Sequence, residues 1–243
     1  MKRVLIALLA LTLLLVGCGE KVDVMTYTEY AAADLESKVT VETYIQAKQG
    51  WWEKDGVGVA TFYTENEDGA FFIYEMPCSK DDYDNKLKIG AKIRVSGVKT
   101  AWEGEVEIID ATYEVLKGEW KATATDITDK LADEKLIDYQ NRFVAFKGMT
   151  IAASTDKDGN EKAYLYNWDG SGEQGNDLYF NATVGEKTYS FCVESYLCGS
   201  DTDVYKAVEA LKVGDVVDME GFLYWYKGAQ PHVTSLKVTT PAA

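Results

Sequence analysis

The aromatic residues are the part of this sequence best suited to binding a ligand. The chain has 243 residues, of which 6 are Trp and 16 are Tyr. An exposed ring can stack on a sugar face or a nucleobase, and adjacent strand residues such as Trp51 and Trp52 point to opposite faces. The alternative is that the rings fill domain cores or pack two domains together. The residues predicted to form a stacking surface are Trp51, Trp52, Tyr63, Tyr74, Trp102, Tyr164, Tyr166, Trp168, Trp225 and Tyr226.

No arrangement typical of a catalytic site is present. The single histidine, His232, follows Pro231 at the start of a predicted strand, and no neighbouring carboxylate is placed to orient it. We expect His232 to be a partly exposed strand residue. The sequence also lacks a glycine-rich phosphate loop and an HExxH zinc motif. The prediction is a protein that is not an enzyme and that needs no cofactor.

Metal binding is not predicted either. The segment DKDGNE (156–161) resembles the start of a calcium loop, but the twelfth position is Asn167 instead of a bidentate Glu, so a turn is the better interpretation. Three cysteines after the N-terminal region lack CxxC spacing and allow at most one internal disulfide. Cys192 and Cys198 are the nearest pair, and Cys78 with Cys198 is an open alternative.

The N-terminus has the pattern of an export signal. Lys2 and Arg3 precede an apolar run from Val4 to Val16, which is too short to span a bilayer. The run leads into Leu-Val-Gly-Cys18, which resembles a bacterial lipobox. This resemblance implies a signal peptide over 1–17, acylation of Cys18 and anchoring to the outer face of a membrane in the cell envelope. An ordinary secretory signal or an anchor helix is the alternative.

The charge of the chain is strongly acidic. The net charge is −15, and removal of residues 1–17 would make it −17. Such a surface repels phosphate backbones, so the composition disfavours nucleic acid as a partner. The local candidates for a basic groove are Lys88, Lys92, Arg94 and Lys99.

One phrase occurs twice in the sequence. LKIGAKIRVSGVKTAWEG (87–104) and LKVGDVVDMEGFLYWYKG (211–228) share Leu, Lys and three Gly at an offset of 124 residues. Each phrase combines a turn, an alternating strand and a hairpin turn. Alternating runs at 39–47, 57–64, 70–76 and 105–116 complete a five-stranded first unit. Runs from Arg142 to Val238 repeat the order, with KAYLYNW as a strand and a helix capped by Asp203 before the second phrase.

Five strands with a helix between the third and fourth is the order of an OB-fold barrel. The segments EDGAFFIYEM, LKIGAKIRVSG and WEGEVEI resemble OB-fold domains of exported bacterial proteins, and YQNRFVAFKGMTI with LKVGDVVDMEG resembles the same family. The resemblance implies an all-β chain with short helices and two consecutive barrels. The expected division is a tether over 18–35, a first barrel over 36–118, a helical connector over 119–141 and a second barrel over 142–240.

Three functions are compatible with this organisation. The sequence favours a membrane-anchored binding protein outside the cytoplasm, with a saccharide or peptide as ligand, because aromatic rings among carboxylates suit such molecules. Single-stranded nucleic-acid binding is the second hypothesis, since OB folds commonly have this activity. A structural or interaction component of an envelope complex is the third.

Overall fold

The first half of the chain forms a closed five-stranded barrel. A computed structural model describes residues 22–242, so the predicted signal peptide and the Cys18 lipidation site lie outside the described residues. The elements of this half are α1 (Tyr27–Ala32), β1 (Lys38–Lys48), β2 (Trp52–Lys54), β3 (Val57–Glu65), β4 (Ala70–Pro77), α2 (Lys80–Asn85), β5 (Ala91–Trp102) and β6 (Glu105–Glu119).

The strand pairings give this barrel the order of an OB fold. β1 pairs with both β3 and β5, β3 pairs with β4, and β5 pairs with β6, all antiparallel. β4 and β6 pair in parallel and close the barrel, with α2 between the third and fourth barrel strands. Side chains that alternate along β1 are buried, namely Val39, Val41, Thr43 and Ile45. The strand order of the first half therefore confirms the predicted all-β, OB-like fold.

The second half of the chain has a sheet with the same sequence of pairings. β8 pairs with β12 and β14, β12 pairs with β13, β14 pairs with β15, and β13 meets β15 in parallel at Cys192 and His232. The elements of this half are β7 (Thr125–Asp126), β8 (Phe143–Ala152), β9 (Ser154–Thr155), β10 (Glu161–Lys162), β11 (Leu165–Tyr166), β12 (Leu178–Val184), β13 (Lys187–Val193), α3 (Asp203–Glu209), β14 (Val216–Phe222) and β15 (His232–Thr240).

The repeated phrase contains glycines that solve the same steric problem twice. Gly97 in β5 and Gly221 in β14 lie at register shifts opposite the last strand of each sheet. A Cβ at Gly97 would lie 2.6 Å from the Ile109 carbonyl oxygen, and one at Gly221 would lie 2.2 Å from the His232 carbonyl oxygen. Backbone approaches that close admit only glycine. The repetition in sequence therefore reflects a repeated close contact between strands.

Several local expectations are wrong. The predicted tether over 18–35 includes α1, in which Thr26 and Glu29 form a capping box and Tyr30 is buried. The predicted helical connector over 119–141 contains β7 and two short 3-10 turns, Thr128–Lys130 and Leu136–Tyr139, and no α-helix. KAYLYNW (162–168) contains only the last residue of β10 and the two-residue strand β11. Thr202, and not Asp203, caps α3, because its side chain accepts a hydrogen bond from the Tyr205 amide.

The two halves of the chain pack directly on each other. Tyr63 and Phe72 of the first barrel form an apolar cluster with Phe222 of β14, in which the Tyr63 and Phe222 rings stack at 4.5 Å. The fully buried carboxylate of Glu105 accepts hydrogen bonds from the Asn141 side chain and, at 2.9 Å, from the Trp225 amide. Apolar and polar contacts together therefore fix the two sheets at a defined orientation. Among residues 22–242, no helix is long and apolar enough to cross a membrane.

Candidate functional site

A cleft of about 990 Å³ lies between the two halves of the chain. The first barrel contributes Phe72, Tyr74 and Glu75 from β4 and Glu107 from β6. The second half contributes residues of its second, third and fifth strands, which are Tyr179, Cys192 and His232. OB folds bind their ligands on the second and third strands, beside the loop after the first strand and the loop between the fourth and fifth. The surfaces at which an OB fold binds ligands therefore face each other across one cavity.

Exposed aromatic rings are concentrated in this cleft. Six Trp or Tyr side chains in the described part of the chain are more than a third exposed, and all six line the cleft. They are Trp52, Tyr74, Trp102, Trp168, Tyr196 and Tyr226. Large apolar rings in water are costly unless they contact a partner. Their restriction to one cavity indicates a surface adapted to flat molecules.

Contacts between loops position these rings. Trp102 ends β5 just before the turn at Glu103 and Gly104, both of which have positive φ. The Lys227 amide donates to the Glu103 carbonyl oxygen at 2.7 Å, and the Trp102 and Tyr226 ring centroids are 5.2 Å apart. The turns before the last strand of each half are thus joined to each other.

The loop after β1 is held in a similar way. The Gly50 amide donates to the Tyr196 carbonyl oxygen at 2.9 Å, and Gln49 Nε2 donates to a Glu194 carboxylate oxygen at 2.9 Å. Both contacts join the two halves of the chain. The cleft is consequently preorganised on two sides by loops from different halves.

His232 is buried in the cleft wall and is not partly exposed as expected. Its ring stacks on Tyr224 with centroids 4.3 Å apart, and its Nδ1 atom is hydrogen-bonded to the Tyr63 hydroxyl at 2.8 Å. Burial lowers the pKa of His232 to about 3. The imidazole is therefore neutral and contributes a flat ring between the two halves.

The cleft carries acidic groups and no basic ones. Glu75, Glu107, Asp177 and Glu194 line it, and no Lys or Arg among residues 22–242 does so. Burial raises the pKa of both Glu107 and Glu194 to about 7, with further increases from Glu75 and Asp177 respectively. Part of the acidic charge is therefore neutralised near neutral pH.

Three of the four basic residues considered for a groove are engaged elsewhere, and the fourth, Lys88, is exposed and does not line the cleft. Lys92 and Arg94 bind the Glu42 carboxylate at 2.6 and 2.7 Å. Lys99 is buried, and its ammonium donates to three carbonyl oxygens at the end of α1. These side chains stabilise the first barrel and leave no basic stripe along the cleft.

The structure divides the aromatic residues predicted from the sequence into two equal groups. One group lines the cleft and comprises Trp52, Tyr74, Trp102, Trp168 and Tyr226. The other packs elsewhere and comprises Trp51, Tyr63, Tyr164, Tyr166 and Trp225.

The second group has structural contacts. Trp51 packs on the first core and donates from Nε1 to the Cys78 carbonyl oxygen at 3.0 Å. Tyr63 is fully buried between the two halves of the chain. Tyr164, Tyr166 and Trp225 pack on the second core, and the Tyr166 hydroxyl donates to Glu209 at 2.6 Å. These five rings therefore pack in the cores or between the two halves and do not form a stacking surface.

Sequence reasoning missed several residues of the cleft. They are Phe72, Glu107, Tyr179, Glu194, Tyr196, Tyr224 and His232. Strand alternation would place Phe72 and Tyr74 on one face of β4. For Tyr196, Tyr224 and His232 no local pattern exists, because the contact between the two halves brings them to the cavity.

The cysteines and the Asp156 turn have structural roles. Cys78, Cys192 and Cys198 are buried free thiols, so neither of the possible disulfides, Cys192–Cys198 or Cys78–Cys198, is formed. The Asp156 carboxylate accepts backbone hydrogen bonds from Asp158 and Asn160 and pairs with Lys162 at 3.1 Å. In the described part of the chain, no group of three or more His, Cys, Asp or Glu is arranged to hold a metal ion.

Comparisons with known proteins find a likeness to solved structures and none in sequence. No family model matches the chain, and no curated protein matches it in sequence. A murine DNA-binding protein bound with double-stranded DNA is similar at a TM-score of 0.39 and 12% identity, over 84% of this chain and 97% of that one. The HINb domain of p204 is similar at a TM-score of 0.36 and 11% identity, over 85% of this chain and 100% of that one. A Replication Protein A heterotrimer bound to single-stranded DNA is similar at a TM-score of 0.33 and 8% identity, over 87% of this chain and 51% of that one.

The descriptions of these structures differ from the ranking of ligands drawn from the sequence. The ranking placed a saccharide or peptide ligand outside the cytoplasm first, and it treated nucleic acid as disfavoured by charge. Several of the similar structures are instead described with double-stranded or single-stranded DNA. The saccharide or peptide ligand and the exclusion of nucleic acid are therefore withdrawn as predictions.

Proposed function

We propose that the chain is a pair of OB-like barrels that binds single-stranded nucleic acid and catalyses no reaction. The observation that carries the proposal is the restriction of all six exposed Trp and Tyr rings of the described chain to one cleft. Aromatic platforms of this kind bind unpaired bases without requiring a particular sequence. A paired base in a duplex cannot offer its faces to the rings, so the ligand is single-stranded.

The bases enter the cleft first, and the phosphates stay outside. No Lys or Arg from residues 22–242 lines the cavity, whereas rings and partly neutral carboxyl groups do. Lys54 and Lys227, which follow the cleft residues Trp52 and Tyr226, are paired with Glu75 and Glu103. Stacking and contacts to base edges therefore supply the binding energy, and ion pairs with phosphates contribute little.

Salt dependence distinguishes this mode from ordinary binding to the nucleic-acid backbone. When a basic groove binds phosphates, it releases counterions condensed on the nucleic acid, so the affinity falls as the salt concentration is raised. Here the protein has a net charge of −15, and added salt screens its repulsion from the oligonucleotide. The affinity should stay level or rise between low and physiological salt. Lipidation of Cys18 is a separate prediction from the sequence, and this binding mode does not depend on it.

Fluorescence anisotropy with a labelled 12-nucleotide DNA of mixed sequence tests the proposal. Trp102→Ala removes a ring that is 54% exposed, so folding should tolerate the change. Loss of one stacked base should weaken binding about 5- to 150-fold. Trp120→Ala is the matched control, because this ring packs on Tyr44 outside the cleft. Absence of binding by the unaltered protein, or equal affinities of the two variants, would overturn the proposal.

A further inference from the structure

Glu107 differs from the other carboxyl groups of the cleft in having no protein partner. Asp177 accepts two hydrogen bonds from Ser195, and Glu194 accepts one from Gln49. Glu75 is paired with Lys54. Within residues 22–242, the Glu107 carboxyl group makes no hydrogen bond or ion pair, although the residue is only 9% exposed.

The position of Glu107 is fixed by its strand. β6 places it opposite Phe72 of β4 in the parallel pairing and opposite Thr100 of β5 in the antiparallel one. Phe72 and Tyr74 line the same cavity. A ligand in the cleft therefore meets a carboxyl group held on a regular strand.

The polar side-chain atoms of the described chain that are sealed from solvent without a partner belong to Tyr30, Thr43, Asn141 and Ser154, so the Glu107 oxygens reach the cleft. A carboxylate that is mostly withdrawn from water gains when a ligand supplies donors. The carboxylate has two oxygen acceptors and no donor. Guanine offers two adjacent donors on its pairing edge, N1–H and the N2 amino group. Adenine and cytosine each offer a donor beside an acceptor, and thymine offers one donor between two carbonyl oxygens. Only guanine satisfies both oxygens of an ionised carboxylate.

We propose that Glu107 contacts the pairing edge of a base held in the cleft and that its ionised form selects guanine. This inference rests on the proposed binding of single-stranded nucleic acid. It adds a base preference to a surface of rings that would otherwise accept any base. The two parallel hydrogen bonds are the charge-assisted, bidentate kind that gives geometric specificity.

The protonation state of Glu107 gives the preference a pH dependence. Burial, and then the neighbouring Glu75, raises the pKa of Glu107 to about 7. A protonated carboxyl group has one donor and one acceptor, which match adenine and cytosine. Guanine selectivity should therefore be strong at pH 8.5 and weak at pH 6. The other titratable groups that interact electrostatically with Glu107 are Tyr74 on β4, Tyr224 after β14, Tyr30 on α1 and Glu105 on β6.

Competition between four oligonucleotides tests the assignment. Each is a thymidine 12-mer with one central G, A, C or T, and each competes with a labelled thymidine 12-mer for the full chain at pH 8.5. A good bidentate contact should favour the G oligonucleotide about 5- to 150-fold. Glu107→Gln, which replaces one acceptor by a donor, should abolish that preference. Glu114→Gln is the matched control, because this residue is on the same strand, is exposed and pairs with Arg94 outside the cleft.

The outcomes separate the two proposals. A guanine preference that is lost in Glu107→Gln and kept in Glu114→Gln supports the assignment. Equal binding of the four oligonucleotides, or an unchanged preference in Glu107→Gln, overturns the role of Glu107 and leaves nucleic-acid binding intact. If none of the four oligonucleotides binds, nucleic-acid binding itself fails, and the base preference fails with it.

Discussion

Buried, neutral His232 should make the protein sensitive to mild acid. Its pKa falls from about 6.5 in an unfolded chain to about 3 in the fold, because burial disfavours the imidazolium. Below pH 6.5 the unfolded state therefore binds a proton that the folded state does not. The free energy of unfolding decreases as the pH falls through this window. Replacement of His232 by Phe keeps a flat ring against Tyr224 and removes the titration.

The size of the effect follows from the width of the window. Each pH unit between the two pKa values corresponds to about 1.4 kcal/mol. Acidification from pH 6.5 to 4 should cost the unaltered protein about 3 kcal/mol relative to His232→Phe. The variant lacks the hydrogen bond to Tyr63, which lowers its free energy of unfolding by about 1–3 kcal/mol at every pH. This loss shifts the variant's plot of unfolding free energy against pH without changing its slope.

Urea denaturation of both proteins at pH 7, 6, 5 and 4, followed by tryptophan fluorescence, measures the difference. The carboxyl groups are common to both proteins, so their titration cancels in the comparison. The stability advantage of the unaltered protein should shrink steadily below pH 6.5 and can reverse by pH 4. A difference that stays constant from pH 7 to 4 would refute the reasoning, since it would mean that His232 titrates alike in the folded and unfolded states.

Three other predictions concern buried groups. Gly221→Ala should lower the free energy of unfolding by about 1–3 kcal/mol, because the added Cβ would lie 2.2 Å from the His232 carbonyl oxygen. Gly50→Ala should have little effect in the same urea assay, because no atom would lie closer than 4.0 Å to its added Cβ. Burial raises the pKa of Glu105 to about 8, so the unaltered protein should lose stability as the pH rises from 4.5 to 8. Glu105→Gln should flatten this pH dependence, and parallel plots of unfolding free energy against pH for the two proteins would contradict the prediction. The thiols of Cys78, Cys192 and Cys198 are buried with raised pKa values, so a thiol reagent at pH 8 should label them slowly in the native protein and promptly in urea; equally prompt labelling would show that they are accessible.

The barrel strands were predictable because their determinants are local. Alternation in VTVETYIQA predicts β1, and its buried side chains follow that alternation. The repeated glycines of the two phrases predicted bends and turns, and the structure shows that Gly97 and Gly221 also allow close contacts between strands. By contrast, the connector before Arg142 has the composition of a helix, yet contacts with the second core turn it into a short strand and two 3-10 turns. Tertiary packing overrides a weak local preference there.

The cleft was only half predictable, because it exists only where the two halves meet. Trp52, Trp102 and Tyr226 lie in or next to loops that bind ligands in OB folds, so their position along the chain was informative. Tyr164 and Tyr166 look equivalent in sequence, but they pack on the second core. Glu107 is one of forty Asp and Glu residues, and only its burial without a partner distinguishes it.

The role of charge explains how the proposed ligand can differ from the one that composition favours. A net charge of −15 describes the whole surface, and its field is screened beyond about 8 Å at physiological salt. Stacking acts at contact distance, between rings and base faces that carry no net charge. Burial also moves the pKa values of Glu107 and Glu194 to about 7, so the cleft carries less charge than its sequence implies. An acidic chain can therefore bind the uncharged part of a nucleic acid while its surface repels the charged part, and the expected cost is a slower encounter.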